Sequence, residues 1–253
     1  MPIDPAVALH AAARPLPRPP GGAGTLLIAG ATGALGSELV RRLAGTHRFA
    51  HTRVLAREPI QAGMRGVESV CMPVLPIAQW PRVAADTALV CFDPPRLYND
   101  RERALWTPTP AQLPALARWL RECGVTTLAV VQPHAQGGLP EALKRGLATL
   151  DEHAVVEQGF ERLLIVRSAQ KPAAGSRGNP AERLAAWMLS ITRFMVPQSE
   201  QPVRAAKVAE LVDVALRLAT PGVHIAAPEL VWQAAQGDLA GVAERWLAPK
   251  APA

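Results

Sequence analysis

The segment Thr25-Leu-Leu-Ile-Ala-Gly-Ala-Thr-Gly-Ala-Leu-Gly-Ser-Glu-Leu-Val-Arg-Arg-Leu43 constrains this chain more than any other. An apolar run meets three glycines at three-residue spacing and then an amphipathic stretch, with Leu35, Leu39, Val40 and Leu43 on one face and Gly45 as a stop. That pattern predicts a strand entering a helix through a tight turn. Such a turn presents the helix's unpaired N–H groups and positive dipole end to an anion. Gly30 permits the turn, Gly33 lets the backbone approach a phosphate closely, and Gly36 lets the helix pack on the strand.

The rest of the chain repeats the alternation. Strands are expected at Thr25 to Ala29, Arg53 to Ala56, Val67 to Cys71, Ala88 to Phe92, Thr126 to Val131, Arg162 to Val166 and Val223 to Ala226. Helices are expected over the glycine-led stretch, Ala111 to Cys123, Pro140 to Glu157, Pro180 to Met195 and Ala205 to Leu218. The fold class this implies is α/β, a doubly wound and mostly parallel sheet. Residues 25–253 are read as one domain, with a small C-terminal subdomain from about residue 168 resting on the strand ends. Lys171 to Pro180 reads as a surface or lid loop. Trp187 and Trp232 are core aromatics of that subdomain or line its face. Residues 1–24, rich in Pro and Ala without a basic front and a continuous apolar core, are expected to be a flexible leader and not a signal peptide.

Composition narrows the function classes. The 253 residues are 49 % hydrophobic and 19 % charged, enough to bury a sizeable core. No run approaches the roughly 20 apolar residues of a membrane helix, so a soluble chain with no membrane partner is expected. The formal charge of +6 comes from 27 basic residues, mostly Arg, against 21 acids, and it is spread along the chain. It favours anionic ligands without forming a nucleic-acid stripe. Cys71, Cys91 and Cys123 have no C-x-x-C spacing and are expected to be buried free thiols in a reducing, cytoplasmic setting. Of the six His only His47 and His51 are ligand-spaced, bracketing a loop, and no metal site is expected.

Specificity in a nucleotide site of this kind is read at the end of the second strand, about 20 residues past the glycines. Arg57 falls there, and its planar fork suits a ribose 2′-phosphate, so NADP(H) is favoured over NAD(H). Glu58 next to it keeps NAD(H) open. The expected cofactor-binding set is Gly30, Thr32, Gly33, Ala34, Leu35, Gly36, Arg57, Phe92 and Asp93, the last two where a cofactor passes the fourth strand.

From Thr25 to about Pro228 the chain resembles the short-chain dehydrogenase/reductase superfamily, in its atypical NAD(P)H-binding branch with the NmrA-like sensors and Tat-interacting-protein oxidoreductases. The resemblance rests on Ala29-Gly-Ala-Thr-Gly-Ala-Leu-Gly36, Val54-Leu-Ala-Arg-Glu58, Leu128-Ala-Val-Val131 and Leu163-Leu-Ile-Val-Arg-Ser168. The last is similar to a family strand ending in Arg-Pro, with Ser168 where Pro is usual. A Rossmann-like fold and a bound dinucleotide are what the resemblance implies.

It also implies a Tyr-x-x-x-Lys pair on the helix after the fifth strand, with a Ser or Thr ending that strand. In that chemistry the Tyr hydroxyl moves the proton and the Lys lowers its pKa. This chain has one tyrosine, Tyr98, which follows the fourth strand, and the fifth strand ends Gln132-Pro133-His134. Lys144 has Pro140 four residues before it, so the pair is missing. His134 and Lys144 are the remaining catalytic candidates, with Tyr98 read as a loop anchor and Glu152 and Glu157 as ordinary exposed acids. Three functions stay open. The chain is a nucleotide-dependent sensor, assembly or partner-binding module without reductase chemistry; an NADPH-dependent oxidoreductase of a small carbonyl substrate with a non-standard proton donor; or a structural α/β domain. Dinucleotide and protein partners fit the first, and monomer and homodimer are both open.

Overall fold

The computed structural model describes residues 24–60, 66–96, 100–134, 149–169 and 203–248. Seven strands form one sheet: β1 (Thr25–Ala29), β2 (His51–Ala56), β3 (Val67–Cys71), β4 (Thr87–Cys91), β5 (Thr127–His134), β6 (Arg162–Ala169) and β7 (Gly222–Ala226). Their order is β3-β2-β1-β4-β5-β6-β7, and every neighbouring pair is parallel. The sheet winds one way from β1 to β3 and the other way from β4 to β7. Both windings start at the β1–β4 pair, so the chains leaving these two strands diverge and open a crevice at their carboxyl ends.

The helices are α1 (Gly33–Gly45), α2 (Asp100–Arg103), α3 (Leu113–Glu122), α4 (Leu150–Val156), α5 (Ala205–Leu218), α6 (Pro228–Gln236) and α7 (Leu239–Leu247). Residues of β1 alternate between two cores, as pleating requires. Leu26 and Ile28 pack with Leu39 and Leu43 of α1 and with residues of α5, α6 and α7. Leu27 and Ala29 pack on the opposite face with Leu116 and Leu120 of α3 and Val155 of α4. Burial on both faces is why the central strands are continuous apolar runs instead of alternating ones. No helix among the described residues is long and apolar enough to cross a membrane.

All seven expected strands form, but several ends differ. Strand β5 continues through Gln132, Pro133 and His134 because Arg167, Ser168 and Ala169 of β6 run alongside them. Helices α6 and α7 were not expected; Pro228 in the first turn and Asp238, whose Oδ1 accepts from the Gly241 N–H at 3.0 Å, start them. Beyond Ser168, the described residues supply β7 to the sheet and three helices to its core. The Lys171 to Pro180 loop, the expected 180–195 helix, Trp187 and the leader up to Ala23 lie outside the described residues. Trp232 is half-buried on α6.

Candidate functional site

The glycine turn lies at the carboxyl end of β1, where the crevice opens. Gly30 and Gly33 have φ of 84° and 69°, which a side chain would strain. A Cβ at Gly30 would collide with the Cys91 carbonyl oxygen, and one at Gly36 would lie 2.5 Å from the Gly30 carbonyl oxygen. The three glycines therefore let β1, α1 and the end of β4 meet backbone to backbone. Thr32 precedes α1 as its N-cap, but its hydroxyl leaves the helix and donates to the Asp93 carbonyl at 2.5 Å. It also shares a hydrogen bond of 3.1 Å with the Thr107 hydroxyl.

Two carboxylates from beyond β4 take the N–H groups that open α1. The Gly33 N–H donates to Glu102 Oε2 at 3.0 Å, and the Leu35 N–H donates to Asp93 Oδ2 at 2.8 Å. The space a Gly33 side chain would occupy is filled by the Asp93 carboxylate and the Pro94 carbonyl. Glu102 is buried, and Arg96 secures it, with its N–H on Oε2 at 2.8 Å and its Nε on Oε1 at 2.7 Å. Burial pushes the Glu102 carboxyl up, but the Arg96 side chain, the Arg96 N–H and the Gly33 N–H outweigh it and hold the group below the usual glutamate range. Asp93 goes the other way: burial, reinforced by the charge of Glu102, holds it above the usual aspartate range despite the Leu35 and Ala34 N–H groups.

The chain after Glu102 then crosses the strand ends. The Arg57 N–H donates to the Ala104 carbonyl at 2.7 Å, the Trp106 N–H to the Leu55 carbonyl at 3.0 Å, and the Gly30 N–H to the Trp106 carbonyl at 3.2 Å. Ala56 and Leu105 form an antiparallel bridge. Trp106 is anchored underneath, edge-on to Trp80 with ring centres 4.9 Å apart, and Trp80 is in turn edge-on to Trp119. We call residues 102–107 the strap.

A glycine turn leading from β1 into a helix at the switch point of a 3-2-1-4-5-6-7 parallel sheet decides the architecture. The chain has a Rossmann fold. No family model matches the chain, and no curated protein matches it. Among solved structures, it is similar to a Rossmann-fold NAD(P)-binding family protein from Shigella flexneri, with 17 % identity over 67 % of this chain and 86 % of that one and a TM-score of 0.35. It is also similar to the Bordetella bronchiseptica enzyme WbmG in complex with NAD, with 12 % identity, coverage of 93 % and 91 %, and a TM-score of 0.44. A third is the UDP-N-acetylglucosamine 4-epimerase from Bacillus cereus, with 12 % identity, coverage of 81 % and 79 %, and a TM-score of 0.44.

A Rossmann cleft that holds a dinucleotide places the pyrophosphate on the N–H groups at the start of its first helix and the ribose by the end of its second strand. The donors of this chain are of the right kind. In this conformation, however, they hold Asp93 and Glu102, and the strap backbone covers the ends of β1 and β2, so the cleft does not accommodate a dinucleotide as it stands. Among the expected cofactor residues, Gly30, Thr32, Gly33, Ala34, Leu35 and Gly36 form the turn, with Ala34 exposed. The Arg57 side chain is exposed at the end of β2, and Phe92 is buried in the core under the strap. His134 ends β5, beside Ala169 in register. Lys144 and Tyr98 lie outside the described residues.

Two expectations are corrected. Glu152 is not an exposed acid: it is 1 % exposed and receives both hydrogen bonds of the Arg167 Nη2. Cys71 is exposed, because β3 is an edge strand, whereas Cys91 and Cys123 are buried. Among the described residues no group of three or more His, Cys, Asp or Glu could hold a metal, and His51 Nδ1 lies 3.8 Å from Glu68 Oε1. Sequence reasoning missed Glu102, Arg96 and the strap. One signal was available: an acid at Asp93, directly at the switch point, repels a phosphate.

Proposed function

We propose that this chain is a short-chain dehydrogenase/reductase-like protein that has kept the nucleotide cradle and lost ordinary reductase chemistry, serving as a nucleotide-dependent sensor, assembly or partner-binding module. One observation carries the reading. The N–H groups of the glycine turn are aligned on anionic groups, with the Gly33 N–H 3.0 Å from Glu102 Oε2 and the Leu35 N–H 2.8 Å from Asp93 Oδ2, so the turn works as an anion cradle. The chain's one tyrosine precedes β5 in sequence, which removes the usual proton donor of the family's reductases. A reductase needs that donor; a sensor needs only that nucleotide binding favours one conformation, by about 1 to 3 kcal/mol.

Exposed Arg57 at the end of β2 supports NADP(H) over NAD(H) as the ligand. The three free cysteines support a reducing, cytoplasmic setting. Thermal unfolding of the purified chain with NADP+, NADPH, NAD+, NADH or no nucleotide tests the reading. A ligand at 100 times its dissociation constant adds about 2.7 kcal/mol of stability, and the phosphorylated pair is expected to give the larger shift. A chain that no dinucleotide stabilises at millimolar concentration overturns it. Turnover of a carbonyl substrate with NADPH, lost in His134→Ala or Lys144→Ala, replaces it with the oxidoreductase.

A further inference from the structure

We propose that Asp93 and Glu102 are built-in substitutes for the two phosphates of a dinucleotide, and that with the strap they form an internal occupant of the cleft which a dinucleotide must displace. This rests on the reading of the cleft as a dinucleotide site; what it adds is that the chain regulates that site itself.

The coincidence of positions carries the inference. A dinucleotide in this fold needs three things: N–H groups at the start of the first helix for its phosphates, close backbone approach at the second glycine, and open strand ends for its ribose. The chain meets each of these with its own atoms. Glu102 and Asp93 take the N–H groups of Gly33 and Leu35, Asp93 and Pro94 fill the space beside Gly33, and the carbonyl of Ala104 receives the N–H of Arg57. None of these partners is local: Glu102 is 69 residues from Gly33, and Asp93 is 58 from Leu35. A helix that needed only an N-cap would use the Thr32 side chain, and here that hydroxyl is turned away to hold the Asp93 carbonyl.

The chemistry matches as well. Two carboxylates face the helix end, as the two phosphates of a pyrophosphate would, and Arg96 fixes one of them. Their environments differ, and so does the ease of removing them. Glu102 is clamped by Arg96 and held in its charged form, whereas Asp93 is half-buried, and its charge is disfavoured by burial and by Glu102. Asp93 is therefore the contact that yields first to a competing phosphate. Arriving nucleotide also has to lift the strap from the strand ends, which parts Trp106 from Trp80 and gives displacement an optical signal.

Titration of the full chain with NADP+ and with NAD+, followed by calorimetry and by tryptophan fluorescence, tests the proposal. The same titrations use Asp93→Ala, Asp93→Asn and Glu102→Gln, each first checked for folding by circular dichroism. Binding to the unaltered chain should be accompanied by a fluorescence change with the same midpoint. Asp93→Ala should bind about ten-fold tighter or more, because the apparent dissociation constant falls as the binding-competent fraction rises. If Asp93→Ala does not fold, Asp93→Asn and the coupled signals of the unaltered chain decide. Equal affinity in all folded variants, with tryptophan fluorescence unchanged on binding, overturns the internal occupant and leaves the dinucleotide reading standing. No binding by any folded variant overturns both.

Discussion

The Arg167 Nη2 donates to both carboxylate oxygens of Glu152, at 3.0 and 2.8 Å, with the two side chains 2 % and 1 % exposed. The pair ties the end of β6 to α4, whose first turn is capped by the Thr149 hydroxyl accepting the Glu152 N–H at 3.2 Å. Removing one partner leaves an uncompensated buried charge, which costs about 3 to 5 kcal/mol, whereas replacing both with apolar residues of similar volume is often close to neutral. Arg167→Met is expected to lower stability by that amount in urea unfolding, and adding Glu152→Leu to recover most of it. A single variant as stable as the parent would show that the pair does not hold α4 in place.

Gly36 and Gly33 of the turn require glycine for different reasons. Gly36 has an ordinary helical backbone, but its Cβ would lie 2.5 Å from the Gly30 carbonyl oxygen. Gly36→Ala therefore forces α1 away from β1 and is expected to cost about 1 to 3 kcal/mol. Gly33 has φ of 69°, and a side chain there would run into Asp93. Gly33→Ala should lose stability through both strain and collision, and Asp93→Ala in the same chain should restore only the part of the collision due to Asp93, because the Pro94 carbonyl oxygen stays 2.8 Å from the Cβ position. Thermal unfolding of Gly33→Ala, Asp93→Ala and the double variant separates the Asp93 contribution from the rest.

The local parts of this architecture were legible. β1, its glycines and α1 are one continuous segment whose apolar spacing and breakers lie next to each other, and their bounds follow directly. Strand ends were less so: β5 outlasts its apolar run because pairing with β6 continues through Pro133 and His134, which carry no strand pattern of their own. Helix α7 had readable signs, an Asp238 cap and buried Leu239, Val242, Ala243 and Leu247 at helical spacing. The strap had none. Its partners lie on strands and turns tens of residues away, and a carboxylate bound to a distant N–H has the same local sequence as one facing water. Glu152 was obscured for the same reason, since its partner Arg167 lies on the next strand.

Asp213 is 1 % exposed on α5, where Arg42 Nε of α1 lies 3.2 Å and Arg217 Nη2 3.6 Å from Oδ2, and Arg48 also faces it. One carboxylate thus sits among three guanidinium groups that would otherwise repel one another across the α1–α5 contact. Burial pushes the Arg48 guanidinium down, and Arg217 and Arg162 add to this while Asp213 opposes it. The arginines are partly exposed, so screening tempers each pair. Asp213→Asn is expected to cost about 1 to 3 kcal/mol, and the loss should shrink as salt is raised from 0.05 to about 0.5 M because screening weakens the repulsion left behind. A loss independent of salt would assign Asp213 a packing role instead.

The cysteines provide a probe of burial with a definite sign. Burial pushes the Cys91 thiol up to about 12, and Cys123, whose Sγ accepts the Val83 N–H at 3.3 Å, is also raised by burial. Only the thiolate reacts with iodoacetamide, so at pH 8 the native chain should take one label, on exposed Cys71, and the denatured chain three. The same shift links stability to pH. Unfolding returns Cys91 to its ordinary value of 9.0, so between that pH and about 12 the unfolded chain binds fewer protons than the native one. Stability then falls with rising pH, by at most about 1.4 kcal/mol per unit from this group. The comparison that isolates this group is with Cys91→Ala. That variant should lose a constant packing contribution at every pH and show a shallower decline above pH 9. Parallel curves would mean that the thiol ionises within the native state and that the end of β4 opens to solvent.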